Sequence, residues 1–150
     1  MLGVYDAKLT EPLAKVLQNL GSTHVFVVHG ADGLDEITLT GKTYISELKH
    51  GEIENYEILP EDFGFERCKK EELLGGDSET NARIALDILK GKNGPHRDIV
   101  LLNAAAAIVA GRKSKDLREG LKAASESIDS GNAMKKLDGL RRLTNEYRES

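Results

Sequence analysis

The sequence predicts an α/β fold with a short mixed sheet and a helical C-terminal half. Three observations carry that prediction. A helix pattern runs straight into a non-alternating apolar strand, a β-rich stretch of alternating residues follows over 37–59, and helix patterns succeed one another from residue 77 onward.

The opening MLGVYD has no clear first element. Residues 6–20, DAKLTEPLAKVLQNL, put Leu9, Leu13, Val16, Leu17 and Leu20 on one helical face, and Gly21 reads as the stop. Pro12 costs least in the first turns, so the helix starts between Asp6 and Thr10. HVFVV (24–28) does not alternate and reads as a strand buried on both faces. Such a strand is expected to have parallel neighbours on both edges, yet no second βαβ unit supplies them. Part of the sheet is therefore expected to come from outside these residues.

EITLT, KTYISEL and EIENYEIL read as short antiparallel strands with one wet face, with KHG (49–51) as the hairpin turn between the last two. Residues 60–76 form an irregular connection with a helical turn at Pro60. Asp77 or Ser78 caps the next helix, whose core face is read as Ala82, Ala85, Leu86 and Leu89 and whose stop is Gly91. DIVLLNAAAAIVAG (98–111) is apolar nearly all round and should be the central buried helix. Leu117, Leu121, Ala124 and Ile128 stripe the following helix, which stops near Ser130-Gly131. Ala133, Leu137, Leu140 and Thr144 stripe the last.

With 31% charged residues and a net charge of −4, the chain is not expected to bind nucleic acid. Its apolar runs are too short to span a membrane, so no membrane partner is expected and a cytoplasmic protein is the default. Cys68 stands alone, which excludes a disulfide framework and a thiolate zinc site, and the four histidines lack metal-ligand spacing. One domain over 1–150 is the expected organisation.

The residues that raise a chemical question are Asp35 and Glu36, adjacent acids that follow the most hydrophobic segment in HVFVVHGADGLDE (24–36). Two carboxylates about 5 Å apart repel by roughly 3 kcal/mol at an effective dielectric near 20, and either water or a cation must offset that. Asp32 reads as an exposed turn residue, and His29 as a hydrogen-bonded structural histidine. Asn103, inside an apolar helix, is expected to bond nearby backbone, because an unpaired buried amide is costly. The glycines of LGGDSETNA (74–82) precede a helix N-terminus, but Asp77 already supplies that end with an anion, so the segment reads as a cap. Arg97, Arg112, Lys113, Lys115 and Arg118 form a basic stretch of a kind that can meet a phosphate, but they read as a solvated face, as do Arg141 and Arg142.

The segments GVYDAKLTEPLAKVLQNLG, VVHGADGLDEITLTG, GGDSETNARIALDILKG, IVLLNAAAAIVAG and IDSGNAMKKLDGL, in this order and spacing from about Gly3 to Tyr147, resemble the C-terminal part of the anthranilate phosphoribosyltransferase family. The related pyrimidine nucleoside phosphorylases are similar in fold and carry a comparable GLDE-like loop. The resemblance implies part of a phosphoribosyltransferase/nucleoside phosphorylase-like α/β domain. It also implies transfer of phosphoribose from phosphoribosyl pyrophosphate to anthranilate in tryptophan biosynthesis, with magnesium required. Asp35 and Glu36 would then be the acidic pair that helps hold the magnesium ion, in keeping with that ion's preference for one or two carboxylates plus substrate phosphates.

The family's Gly-Thr-Gly-Gly-Asp phosphate loop, its Lys-His-Gly-Asn-Arg segment and its anthranilate-recognising arginine do not occur in these residues. The expectation is thus the C-terminal fragment of a larger α/β catalytic domain. It is pentosyltransferase by family and inactive alone, it has no catalytic or cofactor-binding residue beyond the metal pair, and its partner is the upstream part of the same enzyme. An exposed sheet edge would also permit self-association. The alternatives are a pyrimidine nucleoside phosphorylase-like fragment and a non-catalytic binding or assembly module.

Overall fold

A computed structural model describes residues 1–146. Tyr147, the last residue of the family resemblance, lies outside the described residues. The elements run β1 (Leu2–Gly3), α1 (Thr10–Asn19), β2 (His24–Gly30), β3 (Thr43–Lys49), β4 (Glu52–Ile58), α2 (Ser78–Leu89), α3 (Pro95–Ala110), α4 (Leu117–Asp129) and α5 (Asn132–Glu146). The strands form one mixed sheet in the order β1-β2-β3-β4, with β1 parallel to β2 and the other two pairs antiparallel.

β2 is the middle of the molecule, and its side chains divide by parity. Val25 and Val27 pack with Val4, Ala14 and Leu48 under α1, while Phe26 and Val28 pack with Leu102, Ala106 and Val109 of α3. The result is three layers, helix on sheet on helix, as the absence of alternation in HVFVV requires. A further cluster of Ile88, Leu101, Ala124 and Ile128 joins α2 and α4 to the outer side of α3. At the closest approach of α4 to α3, a Cβ on Gly120 would lie 2.7 Å from the Ala105 carbonyl oxygen.

The edges of β2 are filled differently from the expectation. One neighbour is parallel, but it is the two-residue β1 of the opening segment, extended by a Val4 N–H bond to the Val28 carbonyl. The other neighbour, β3, is antiparallel along all seven residues of β2. A run of apolar residues reports burial, not the direction of the partner strand. β3 turns into β4 through His50 and Gly51, both in left-handed backbone conformation (φ 54° and 84°), the type I′ geometry that matches strand twist.

Other readings need correction. EITLT (36–40) is not a strand: Ile37, Thr38 and Leu39 are buried in an irregular loop. On α1, Val16 and Leu20 are 48% and 77% exposed, and Thr10 and Ala14 take the buried positions. α2 buries Ile88, half-buries Ile84 and leaves Ala82 and Ala85 exposed, since turning the bulkier side chains inward removes more apolar area from water. α5 buries none of its residues, and Leu140 and Thr144 are open to solvent. Arg97 does not belong to a solvated face. It is buried, with its guanidinium donating to the Gly91 carbonyl, the Ser125 hydroxyl and the Asp129 carboxylate.

The remaining helices follow their patterns. Asp6 caps a 3₁₀ turn over Ala7–Leu9 before α1 proper begins at Thr10, so both proposed starts are used. α3 is buried along Leu101, Leu102, Ala105, Ala106 and Val109, and α4 stops at Ser130 before Gly131. Among the described residues no helix is long and apolar enough to cross a membrane.

The α3–α4 contact gives a direct test. Gly120→Ala should lower unfolding stability by about 1–2 kcal/mol, because overpacking against backbone outweighs alanine's better helix propensity. A urea midpoint equal to or above that of the parent would contradict this packing.

Candidate functional site

Gly30, the last residue of β2, leads into a loop that returns to β3 at Thr43. Its turn closes by two backbone bonds, Gly33 N–H to the Gly30 carbonyl and Gly30 N–H to the Leu34 carbonyl, with Gly33 at φ 92°. Asp35 and Glu36 stand at the exposed apex, and the chain dives into the core immediately afterwards at Ile37. Neither carboxylate has a hydrogen-bond or ion-pair partner among the described residues. Shielding of part of the Glu36 side chain, and then the adjacent Asp35 charge, raise the Glu36 carboxyl above its ordinary value.

The flanks of the loop are tied down. Asp32 accepts from the Leu34 N–H at 3.1 Å, the Thr38 hydroxyl at 2.8 Å and the Thr40 hydroxyl at 2.7 Å. Burial alone would raise the Asp32 carboxyl, but the Thr40 and Thr38 hydroxyls and the Leu34 N–H outweigh it and hold it below its ordinary value. Asp32 is therefore a half-buried organiser of the loop, not the exposed turn residue expected from sequence. The signal was an aspartate followed at six and eight residues by the threonines of T-x-T.

Asn103 meets the expectation set for it. From inside α3 its Oδ1 accepts the Ile37 N–H and its Nδ2 donates to the Ile37 carbonyl, both at 2.9 Å, with a further bond to the Ile99 carbonyl. One side chain thus satisfies both backbone groups of the residue that follows the acid pair. Leu39 is held in turn by the Cys68 N–H, and Thr38 N–H donates to the Thr43 hydroxyl.

On the other side, Gly3 of β1 presses against the acid pair. A Cβ built there would sit 1.5 Å from the Asp35 carbonyl oxygen, so only glycine fits. His29, buried at the end of β2, donates from Nδ1 to the Val4 carbonyl at 2.7 Å and stacks on Tyr44, which fixes β1 in place. It is the structural histidine expected. The GGD segment is likewise a cap: Asp77 accepts the Thr80 N–H at 2.8 Å.

Two free, adjacent carboxylates on an anchored loop suit a hard divalent cation. Among the described residues no third histidine, cysteine or acid joins them. The remaining coordination would have to come from water and from a ligand's phosphates, which is how magnesium is commonly held.

The chain is similar to known proteins along nearly its whole length. Residues 1–134 match the family described as glycosyl transferase family, a/b domain. Anthranilate phosphoribosyltransferase of Symbiobacterium thermophilum is 49% identical over 148 residues, covering 99% of this chain and 43% of that protein. The Geobacter sulfurreducens enzyme of the same name is 53% identical over 146 residues, with 97% and 42% covered. Among solved structures, anthranilate phosphoribosyltransferase from Thermus thermophilus superposes with a TM-score of 0.83 at 38% identity, over 92% of this chain and 40% of that one. The Saccharomyces cerevisiae enzyme in complex with PRPP and Mg superposes with a TM-score of 0.79 at 32% identity, over 91% and 40%. The chain therefore spans less than half the length of the relatives it matches.

The Asp32 cluster sets a pH dependence. Its folded carboxyl titrates below the unfolded one, so its stabilisation is complete above the unfolded value near pH 4 and is lost as pH falls through the folded value. Asp32→Asn keeps the shape but replaces one accepting oxygen with a donor, and should cost about 1–2 kcal/mol at pH 7. Denaturant titrations at stepped pH should find the parent losing stability below about pH 4 more steeply than the variant; parallel profiles would refute the assignment.

Proposed function

The chain belongs to the glycosyl transferase family, a/b domain, and from that premise we propose that it is the C-terminal portion of an anthranilate phosphoribosyltransferase. In this reading the 150 residues form one structural unit of a larger α/β catalytic domain and supply a magnesium loop and scaffold, in a cytoplasmic enzyme of tryptophan biosynthesis. The reaction is transfer of phosphoribose from phosphoribosyl pyrophosphate to anthranilate. The observation that carries the reading is the unpartnered Asp35/Glu36 pair on a loop whose flanks are fixed by Asp32 and Asn103.

Asp35 and Glu36 are the residues that would hold magnesium. The bound ion supplies charge neutralisation at the pyrophosphate oxygens of substrate and leaving group. This chain's own contribution is positional. Asn103 and Gly3 fix the backbone on either side of the pair, and Asp32 ties the turn before it to Thr38 and Thr40 after it. Held this way, the two acids meet the cation without first being ordered, which lowers the entropic cost of assembling the site.

The remaining phosphate and anthranilate contacts belong, in this proposal, to upstream residues of the same enzyme, which dock beside β1. Met1 and Leu2 are 42% and 38% exposed there, and β1's outer edge has no partner among the described residues. Without that partner, the edge is open to a second copy of the chain.

Fluorescence assays of anthranilate consumption test the reading. With phosphoribosyl pyrophosphate and magnesium, the chain alone should give no turnover. Adding the upstream portion should restore it, and Asp35→Asn/Glu36→Gln should then reduce the restored rate by about 100-fold or more. Turnover by the chain alone, or a restored rate indifferent to the double substitution, would refute the proposal. Sedimentation velocity on the chain alone should reveal a concentration-dependent dimer; a monomer throughout would discard self-pairing.

A further inference from the structure

At the opposite end of β2 from the acid loop, roughly 20 Å away along a seven-residue strand, lies an open cleft of about 890 Å³. It is bounded by the residues before β2, the β3–β4 turn and the connection between α3 and α4. Four permanent cations line it: Lys49, Arg112, Lys113 and Lys115. None of them has an ion-pair partner among the described residues, although the chain as a whole carries a net charge of −4. The one carboxylate in the lining, Glu119, is engaged with the Lys115 backbone N–H at 2.7 Å. Four cations against one carboxylate leave the cleft with a net positive charge that an anion would offset, although the exposed side chains are partly screened by water.

A second, independent observation falls on the same cleft. Among the described residues only two non-glycines have positive φ, His50 at 54° and Arg112 at 57°, and both line it. Arg112 occupies the helix-ending position of α3 where glycine is the usual residue. Its N–H bonds the Val109 carbonyl and the Lys113 N–H bonds the Ile108 carbonyl, the paired bonds of a Schellman ending. A glycine is available next door at Gly111, yet the strained position carries the arginine. Strain of this kind in a non-glycine residue persists where a side chain is needed at that point.

We propose that this cleft binds a small anion bearing two or more phosphate groups, at a site separate from Asp35 and Glu36. The cations are spread over two separate segments, which suits several charged groups better than one. Hydroxyls of Ser22, Thr23 and Ser114 add donors. No phenylalanine, tyrosine or tryptophan lines the cleft, and of its two imidazoles His24 is engaged by the Glu47 carboxylate, so recognition is directed chiefly at the phosphates. The net negative charge of the chain disfavours a long nucleic-acid backbone. Arg118, adjacent in sequence, takes no part: it lies over the Phe63 ring.

Titration of the 150-residue chain with inorganic pyrophosphate, followed by amide chemical shifts in the presence of EDTA so that no metal bridges to the acid loop, tests the proposal. Saturable shifts should appear at Ser22, Gly51, Lys113 and Ser114 and be absent at Asp35 and Glu36. ATP should produce the same shifts if the phosphates alone are read. Arg112→Gly should weaken pyrophosphate binding about tenfold while raising the melting temperature, because glycine relieves the positive φ. Lys113→Gln/Lys115→Gln, which leaves the backbone alone, should weaken binding further. Shifts reproduced by sulfate at matched ionic strength, binding unchanged in both variants, or a response to a single-stranded oligonucleotide but not to pyrophosphate would each overturn it.

Discussion

Burying β2 on both faces obliges every polar group along its backbone to find a partner within the chain, because water reaches neither side. β3 satisfies one edge over seven residues and β1, with Val4, satisfies part of the other. The two helices that cover the faces must then be apolar where they touch it. α1 supplies Leu13, Ala14 and Leu17, and α3 supplies Leu102, Ala106 and Val109. The end of this strand is consequently among the best-fixed points in the fold, and it is there that the chain launches the Asp35/Glu36 loop.

The rigidity passes from strand to loop through polar side chains, not through further sheet. Asp32 gathers Thr38 and Thr40, and Asn103 clasps Ile37 from within an otherwise apolar helix. Both are buried or half-buried polar groups whose hydrogen bonds are all made, and the described residues contain no buried side-chain polar atom without a partner. Such networks are costly when incomplete and specify one geometry when complete. That geometry leaves the two carboxylates outside the network, exposed and available. At the other end of β2 the same three-layer frame gathers cations instead, so the strand separates two regions of opposite charge.

Much of this was legible in the sequence, and the failures have physical causes. The KHG turn, the Gly21 and Gly91 stops, the stripe of α4 and the bonding of Asn103 follow from local stereochemistry or from the cost of an unpaired amide, and they hold. EITLT misled because its alternation of Ile37 and Leu39 with Thr38 and Thr40 arises from two different demands. The apolar pair faces the core, and the threonine hydroxyls face Asp32. The same period appears in a strand, so periodicity could not separate them. α2 turns inward a face more than a quarter-turn from the one its pattern suggests, because alanine belongs equally well inside and outside. Arg97 was grouped with Arg112, Lys113 and Lys115 by proximity in the chain, whereas the fold sends it inward to Asp129 and them to the cleft. The pressure of Gly3 on Asp35 joins residues 32 positions apart, and no local pattern records it.

The acid pair is pre-arranged by its flanks with no ligand present. Native-state hydrogen exchange in metal-free buffer measures this directly, residue by residue. The account predicts that the amides of Leu34, Ile37 and Thr38, which donate to Asp32, Asn103 and Thr43, exchange slowly, on a scale approaching the β2 amides. Exchange at unprotected rates for Ile37 and Thr38 while β2 stays protected would contradict it, and would mean that the loop acquires its shape only on binding.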